Sequence, residues 1–260
     1  MRSRQAAAQG LVVLALLSAS PPLAAQRGAA PRREASVPFK VGETLAYDVS
    51  WSSVVTAGTA TATVVEKKPS LNSTAYSIVV EGRPVPLLQR LYNLYYKMET
   101  LIDSFTALSQ RGSLYSEEGS DHKLGSTTFD RNARRAHYEL QTEKLEKSDF
   151  PIPAGTQDGL AALFLVRGRE FKPGEAFTLP VADSGAMYSV PIQVGAPERI
   201  KVTAGEFEAW PLKAEIFDAQ NQAIWKNIAV WISTDPRRLP VRLQAELPVG
   251  HFVLSLREAR

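Results

Sequence analysis

The chain has 260 residues, a net charge of +3 and no cysteine, so disulfides and thiolate metal sites are excluded and stability must come from an apolar core. The basic charge is confined to the N-terminus: taking away Arg2 and Arg4, and the +2 of residues 26–35 (Arg27, Arg32 and Arg33 against Glu34), leaves −1 for residues 36–260. A near-neutral body has no field to steer it toward nucleic acid, and that partner class is set aside.

Arg2 and Arg4 precede the apolar run LVVLALL, and small residues ending in Leu23-Ala24-Ala25 follow. That order is the signature of a secretory leader cleaved after Ala25. The run is too short, and Pro21-Pro22 follows too soon, for a transmembrane helix; no later stretch reaches the length one needs. The expectation is a signal peptide at 1–25, a flexible linker at 26–35 and a single β-rich domain at 36–260. The mature chain would be exported, to the periplasm or, as the other destination, to the medium. No cysteine stands near the cleavage point to carry a lipid.

From Phe39 onward, short runs of Val, Ile, Thr and Tyr alternate in polarity between Gly, Pro, Asn and Asp punctuation, the pattern of antiparallel strands. Strands are predicted near Thr44–Ser53, Thr59–Glu66, Ala75–Gly82, Lys97–Asp103, Leu108–Glu117, Lys123–Phe129 and Arg135–Thr142. Between Pro84 and Tyr96, Leu87, Leu88, Leu91, Tyr92 and Tyr95 fall at helical spacing and predict a short helix.

Gly155 to Arg169, GTQDGLAALFLVRGR, reads as a second helix, with Thr156 as cap, Asp158 complementing the dipole and Gly168 at its end. It is apolar nearly all round, so it is expected to lie buried across or inside a curved sheet. Strands resume near Glu175–Pro180, Tyr188–Val194, Arg199–Thr203, Glu206–Phe217, Ala223–Ser233, Pro240–Glu246 and His251–Leu256. The echo between VGETLAYDV at Val41 and PGEAFTLPV at Pro173 hints at two halves, 36–150 and 170–260. The fold class is therefore mainly β: a curved antiparallel sheet, an open half-barrel wrapped around one buried helix, with a second short helix.

The tools of catalysis are sparse. His122, His137 and His251 show no metal-ligand spacing, and no phosphate-binding loop or G-x-S-x-G elbow is present. Ser120-Asp121-His122 holds the residue types of a triad, but adjacent side chains diverge and cannot relay a proton. Glu117-Glu118 and Glu206/Glu208 are the carboxylate pairs that a glycoside hydrolase would need. No catalytic residue, metal or cofactor is assigned. The aromatic supply is richer: Trp51, Tyr92, Tyr95, Trp210, Trp225 and Trp231, with Leu160 and Phe164 of the greasy helix, are the candidate lining of an apolar cavity. Ordinary core packing is the competing reading of the same residues.

FKVGETLAYDVSW at Phe39–Trp51 and VWISTDPRRLPVRLQAELPVGHFVLSL at Val230–Leu256 resemble the bacterial exported family called domain of unknown function 3108. LIDSFTALSQR from Leu101, TFDRNARRAHY from Thr128, QDGLAALFLVR from Gln157 and the Val202–Trp210 stretch are collinear further points of resemblance. The resemblance implies an exported β-rich protein and supplies no catalytic residues. The layout also looks similar to the lipoprotein carriers of the cell envelope, which is an analogy of fold alone. The expected function is that of a non-catalytic envelope protein binding a lipid or other apolar or amphipathic ligand in the concave sheet. Two alternatives stand beside it: a scaffold pairing an edge strand with an envelope protein partner, and a glycan or peptide hydrolase using Asp121, His122, Glu206 or Glu208.

Overall fold

Alternation in the segment TATATV shows how the sheet forms. Ala60, Ala62 and Val64 turn inward and are buried, while Thr59, Thr61 and Thr63 between them stay half-buried. The computed structural model describes residues 32–51, 55–91, 93–247 and 250–260; the leader read at 1–25, most of the 26–35 linker and Tyr92 lie outside the described residues.

The first half is a meander of β1 (Thr44–Trp51), β2 (Val55–Ser70), β3 (Ser73–Pro84), β4 (Leu94–Asp103), β5 (Ser109–Glu118), β6 (Asp121–Asp130), β7 (Arg135–Gln141) and β8 (Leu145–Pro151), with helix α1 (Pro86–Leu91) between β3 and β4. Helix α2 (Gly159–Val166) follows. The second half contains β9 (Ala176–Asp183), β10 (Ala186–Val194), β11 (Glu198–Val202), β12 (Gly205–Phe217), β13 (Ala223–Ser233), β14 (Pro240–Leu247) and β15 (Gly250–Ala259). All belong to one antiparallel sheet in the order β8-β7-β6-β5-β4-β3-β2-β1-β15-β14-β13-β12-β10-β9, with β11 attached to β12. Pairing of β1 with β15 sets the first and last strands side by side, and the two meanders run outward to the free edges β8 and β9.

Those edges approach without exchanging ladder bonds. Phe129, Ala136 and Ile152 of the first half pack with Ala182 of β9, and Phe150 and Met187 lie against them. The segment leading into α2 completes the seam: Gln157 donates its amide to Pro180 O at 3.1 Å and accepts from Ala182 N at 2.8 Å. The molecule is the expected open half-barrel around a buried helix.

Helix α2 is shorter than its sequence pattern. Asp158, in extended conformation, caps it by accepting from Ala161 N at 2.9 Å, while the Thr156 hydroxyl turns back to Pro153 O at 2.8 Å. Thr156 is therefore not the cap. Five of the eight helical residues are buried. Leu160 and Phe164 join the large core, built from β1–β4 together with Ile200, Ala209, Val241 and Leu256 of the later strands, with Phe39 edge-on to Phe164 at 5.6 Å, and Val166 joins a second core with Phe171, Ile192, Leu212 and Ile232.

At the C-terminal end Arg167 is fully buried. Its guanidinium forms a fork on Glu43 at 2.7 and 3.0 Å and donates to the carbonyls of Pro38, Arg237 and Arg238. Each of the three guanidinium nitrogens has at least one acceptor, and the counter-charge is in contact, which is what keeps such a charge inside. One side chain thus ties α2 to the chain before β1 and to the β13–β14 turn.

The echo between the halves has a structural form. Residues 39–43 and 171–175 read FKVGE and FKPGE, with Gly42 and Gly174 at φ 89° and 81°. Gly42 donates to Val64 O at 2.8 Å and Gly174 to Val194 O at 2.9 Å; Val64 and Val194 return their amides to Glu43 O and Glu175 O at 2.9 and 2.8 Å. Both glycines adopt the left-handed backbone that a side chain resists.

Two local readings need correction. The helix expected between Pro84 and Tyr96 stops at Leu91, because Leu94–Tyr96 pair with Ser116–Glu118 in the β4–β5 ladder. Strand β8, LEKSDFP, is absent from the strands predicted from the sequence. It needs only one partner, β7, and its charged, exposed side chains suit a sheet edge.

Candidate functional site

Because α2 is apolar all round, each of its faces meets a different wall. Gly159, Ala162, Leu163 and Val166 look toward the second half, and there a cavity of about 170 Å³ remains. The opposing wall is made of alternate residues of four adjacent strands, such as Leu179 and Val181 of β9, Ile192 of β10, Ala214 of β12 and Ile228 and Val230 of β13. Period-two alternation puts these aliphatic groups on one face. All thirteen lining residues are uncharged, and none carries a polar side chain. The small Gly159 and Ala162 are what keep the space unfilled.

The ladder is irregular behind this wall, with bulges between Ala214 and Phe217 of β12 and between Lys226 and Ala229 of β13. A groove of about 590 Å³ lies at that point and shares Ile192, Ala214 and Ile228 with the apolar cavity. Lys213, Glu215, Gln193 and Asn227 line it as well.

The first turn of α2 is polar and closed. Asp158 accepts from Thr100 Oγ1 at 2.6 Å, and its amide donates to Ser109 Oγ at 3.0 Å. Ser109 in turn donates its amide and hydroxyl to Gln157 Oε1 at 2.7 and 2.8 Å. Arg131 donates to Thr156 O at 2.7 Å and to Ser109 O. Burial pulls the Arg131 guanidinium down to about 10 against the opposing pull of Asp158, and burial pushes the Asp158 carboxyl up against its hydrogen bonds. Both Asp158 oxygens are occupied, and Gly112 lies so close that a Cβ there would sit 2.6 Å from Asp158 Cβ. This carboxyl is a structural cap with no room for a substrate.

The described aromatic residues among those singled out in the sequence are dispersed, and none of them lines the apolar cavity. Leu160 and Phe164 are in the core on the other side of α2. Tyr95 lies on the opposite face of the sheet, its hydroxyl on Glu81 at 2.5 Å and the Arg83 guanidinium 4.4 Å above its ring. Trp210 packs on Phe171 at 6.0 Å; Trp231 donates to Glu198 Oε1 at 2.6 Å. Trp51 and Trp225 are 48% and 45% exposed at strand ends. Tyr92 lies outside the described residues.

The residues of the hydrolase reading are also apart. Asp121 and His122 begin β6 beside the β5–β6 turn, whereas Glu206 and Glu208 stand on the β11–β12 hairpin opposite Lys201 and Arg199. Among the described residues no hydrogen bond or ion pair joins the two groups, and no three His, Asp or Glu side chains are arranged to hold a metal ion. No described helix is long and apolar enough to cross a membrane.

The model of the family described as "Protein of unknown function (DUF3108)" matches residues 46–257, from β1 through β15. The chain belongs to the DUF3108 family. No curated protein matches the sequence of this family member. Among solved structures it is similar to a beta-barrel-like protein of domain of unknown function DUF1849 from Brucella abortus. The TM-score is 0.52 at 12% identity, over 84% of this chain and 97% of that one, a likeness of fold alone. Weaker likenesses are to a protein described as exported, with a YmcC-like fold, from Bacteroides fragilis (TM-score 0.37, 11% identity, 86% and 98% covered) and to one described as a lipoprotein from Parabacteroides distasonis (0.34, 10%, 88% and 100%).

Proposed function

We propose that this DUF3108 protein is a non-catalytic, exported envelope protein that binds the apolar part of a small amphipathic molecule between α2 and strands β9, β10, β12 and β13. The observation that carries the reading is the cavity of about 170 Å³ lined by aliphatic and small side chains alone. A cavity of roughly 150 Å³ with such walls stays dry and takes up benzene, so this one suits a short alkyl stretch or the end of an acyl chain. The leader read at residues 1–25 supports export to the periplasm, with secretion the other destination.

The test is mass spectrometry of organic extracts from the purified protein, together with calorimetric titration of octanoate. Ala214→Phe, which fills the cavity, should abolish octanoate binding while the circular dichroism spectrum is retained. Equal binding by wild type and a folded Ala214→Phe variant would remove the reading. The edge-strand alternative gains no comparable support: β8 is charged along its exposed length, and β9 is bridged by Gln157.

A further inference from the structure

The exposed apolar side chains are gathered on one side of the molecule. Of the eleven large ones at the surface of the described residues, eight lie at the end of the sheet where β1, β3 and β5 finish and β4, β6 and β13 begin. Five of these run along the part of that end between β3 and β13: Trp51 closes β1, Leu87 and Leu88 belong to α1, and Ile224 and Trp225 open β13. Exposed apolar residues that stand singly need no explanation, but a one-sided group marks a surface made for contact. Helix α1 is the sharpest case. Pro86 to Arg90 are all exposed, Leu87 by 70%, and six residues are too few to hold a helix in water without a surface to pack on.

The charges select the partner. α1 has no acidic residue in its first turn and carries Arg90 in its last; Arg83 before it and Lys226 after Trp225 are exposed as well. The carboxylates on the same strands and turns are hydrogen-bonded to neighbours: Glu81 accepts from the Tyr95 hydroxyl, Glu246 from the Asn227 amide and Asp218 from the backbone of Gln220 and Gln222. The remaining acids of this end, Glu117, Glu118, Asp121, Glu143 and Glu146, lie farther along it on β5–β8 and their turns, beside Lys123 and Lys144. Cations interleaved with Trp, Leu and Ile are the composition of a surface that lies at the boundary of headgroups and acyl chains in an anionic bilayer.

This end also adjoins the apolar cavity. Trp225 stands directly opposite Ile216 in the β12–β13 ladder, and Ile216 lines the space beside α2. We propose that Trp51, Leu87, Leu88, Ile224 and Trp225, flanked by Arg83, Arg90 and Lys226, dock the protein on a phospholipid bilayer with anionic headgroups, the place where the tail of an amphiphile resides. The choice of a bilayer rests on the cavity reading above.

Flotation of the purified protein with vesicles of phosphatidylcholine and phosphatidylglycerol tests the docking. Wild type is expected to float with them and to float less with phosphatidylcholine alone. Leu87→Glu combined with Leu88→Glu should weaken partition by about tenfold or more. Val65→Glu, at an exposed position toward the opposite end of the sheet, should leave it unchanged. Vesicles with brominated acyl chains should quench the tryptophan fluorescence of wild type, and the quenching should vanish in the Trp51→Phe, Trp225→Phe double variant, which keeps Trp210 and Trp231. Flotation indifferent to phosphatidylglycerol, equal flotation of the leucine and Val65 variants, or quenching that survives the loss of both tryptophans would overturn the proposal. A dimer in gel filtration that the leucine variant splits would overturn it too, because the surface would then join two copies of the chain. Octanoate titration of the same preparation separates the two readings: a protein that binds octanoate and ignores vesicles overturns the docking and leaves the cavity reading standing.

Discussion

The two halves open with the same turn, FKVGE and FKPGE, yet their concave faces are filled in opposite ways. In the first half, Leu160 and Phe164 of α2 press into Phe39, Leu45, Ile78 and the small Ala60 and Ala62, leaving a packed core near β1–β4 and glycine, serine and threonine farther out on β5 and β6. In the second half, α2 offers Gly159 and Ala162 to a wall of Val, Leu and Ile, and space remains. The size of the helical residues facing each wall decides where a cavity forms, and the greasiness of the wall decides only its chemistry.

The paired glutamates of the two turns give the sharpest way to break this comparison. Glu43 meets the fully buried Arg167, whereas Glu175 meets Arg169, which is 43% exposed, at 3.0 Å. Glu43→Gln should therefore cost about 3–5 kcal/mol in urea unfolding, because it leaves a buried guanidinium without its counter-charge. Glu175→Gln should cost about 0–1 kcal/mol, the range for a surface pair. Equal losses in the two variants would show that the turns are equivalent and that Arg167 is not the tie between α2 and the first half.

A smaller effect is expected at Gly112. A methyl group there would lie 2.6 Å from Asp158 Cβ and push the cap of α2 off the sheet. Gly112→Ala should destabilise by about 1–3 kcal/mol, in the manner of an overpacked core. Gly82→Ala, on β3 with nothing within 4 Å of its Cβ position, is the control that should leave the melting temperature within a degree or two.

The sequence carried the strands well because alternation is local: Ala60, Ala62 and Val64 face inward whatever lies opposite. It carried the buried state of α2 for the same reason, since a helix apolar on every side has no face for water. The orientation of that helix was not legible. Leu160, Leu163 and Phe164 look equivalent as letters, and only the tertiary fit sends Leu160 and Phe164 to one wall and Leu163 to the other. The candidate lining went astray on the same point, because large aromatic residues advertise a cavity while small ones leave it. A better signal was available in the placement of Gly159 and Ala162, three residues apart and so on one face. Strand β8 was hidden because an edge strand with both faces wet needs no apolar pattern.

The mildest prediction concerns pH and the Asp183 carboxyl at the end of β9. Burial raises the Asp183 carboxyl above its ordinary value of 3.8, and Ser184 offsets this only in part. A carboxyl raised in the folded state binds its proton more tightly there than in the unfolded chain. Its contribution is therefore fully present below about pH 4 and is lost as pH rises through the folded value. Asp183→Asn, which cannot ionise, should match wild type in acid and become the more stable form near neutrality, with the difference in melting temperature growing across that window and then levelling. A variant less stable than wild type at neutral pH would mean that the ionised carboxylate has a favourable partner across the seam.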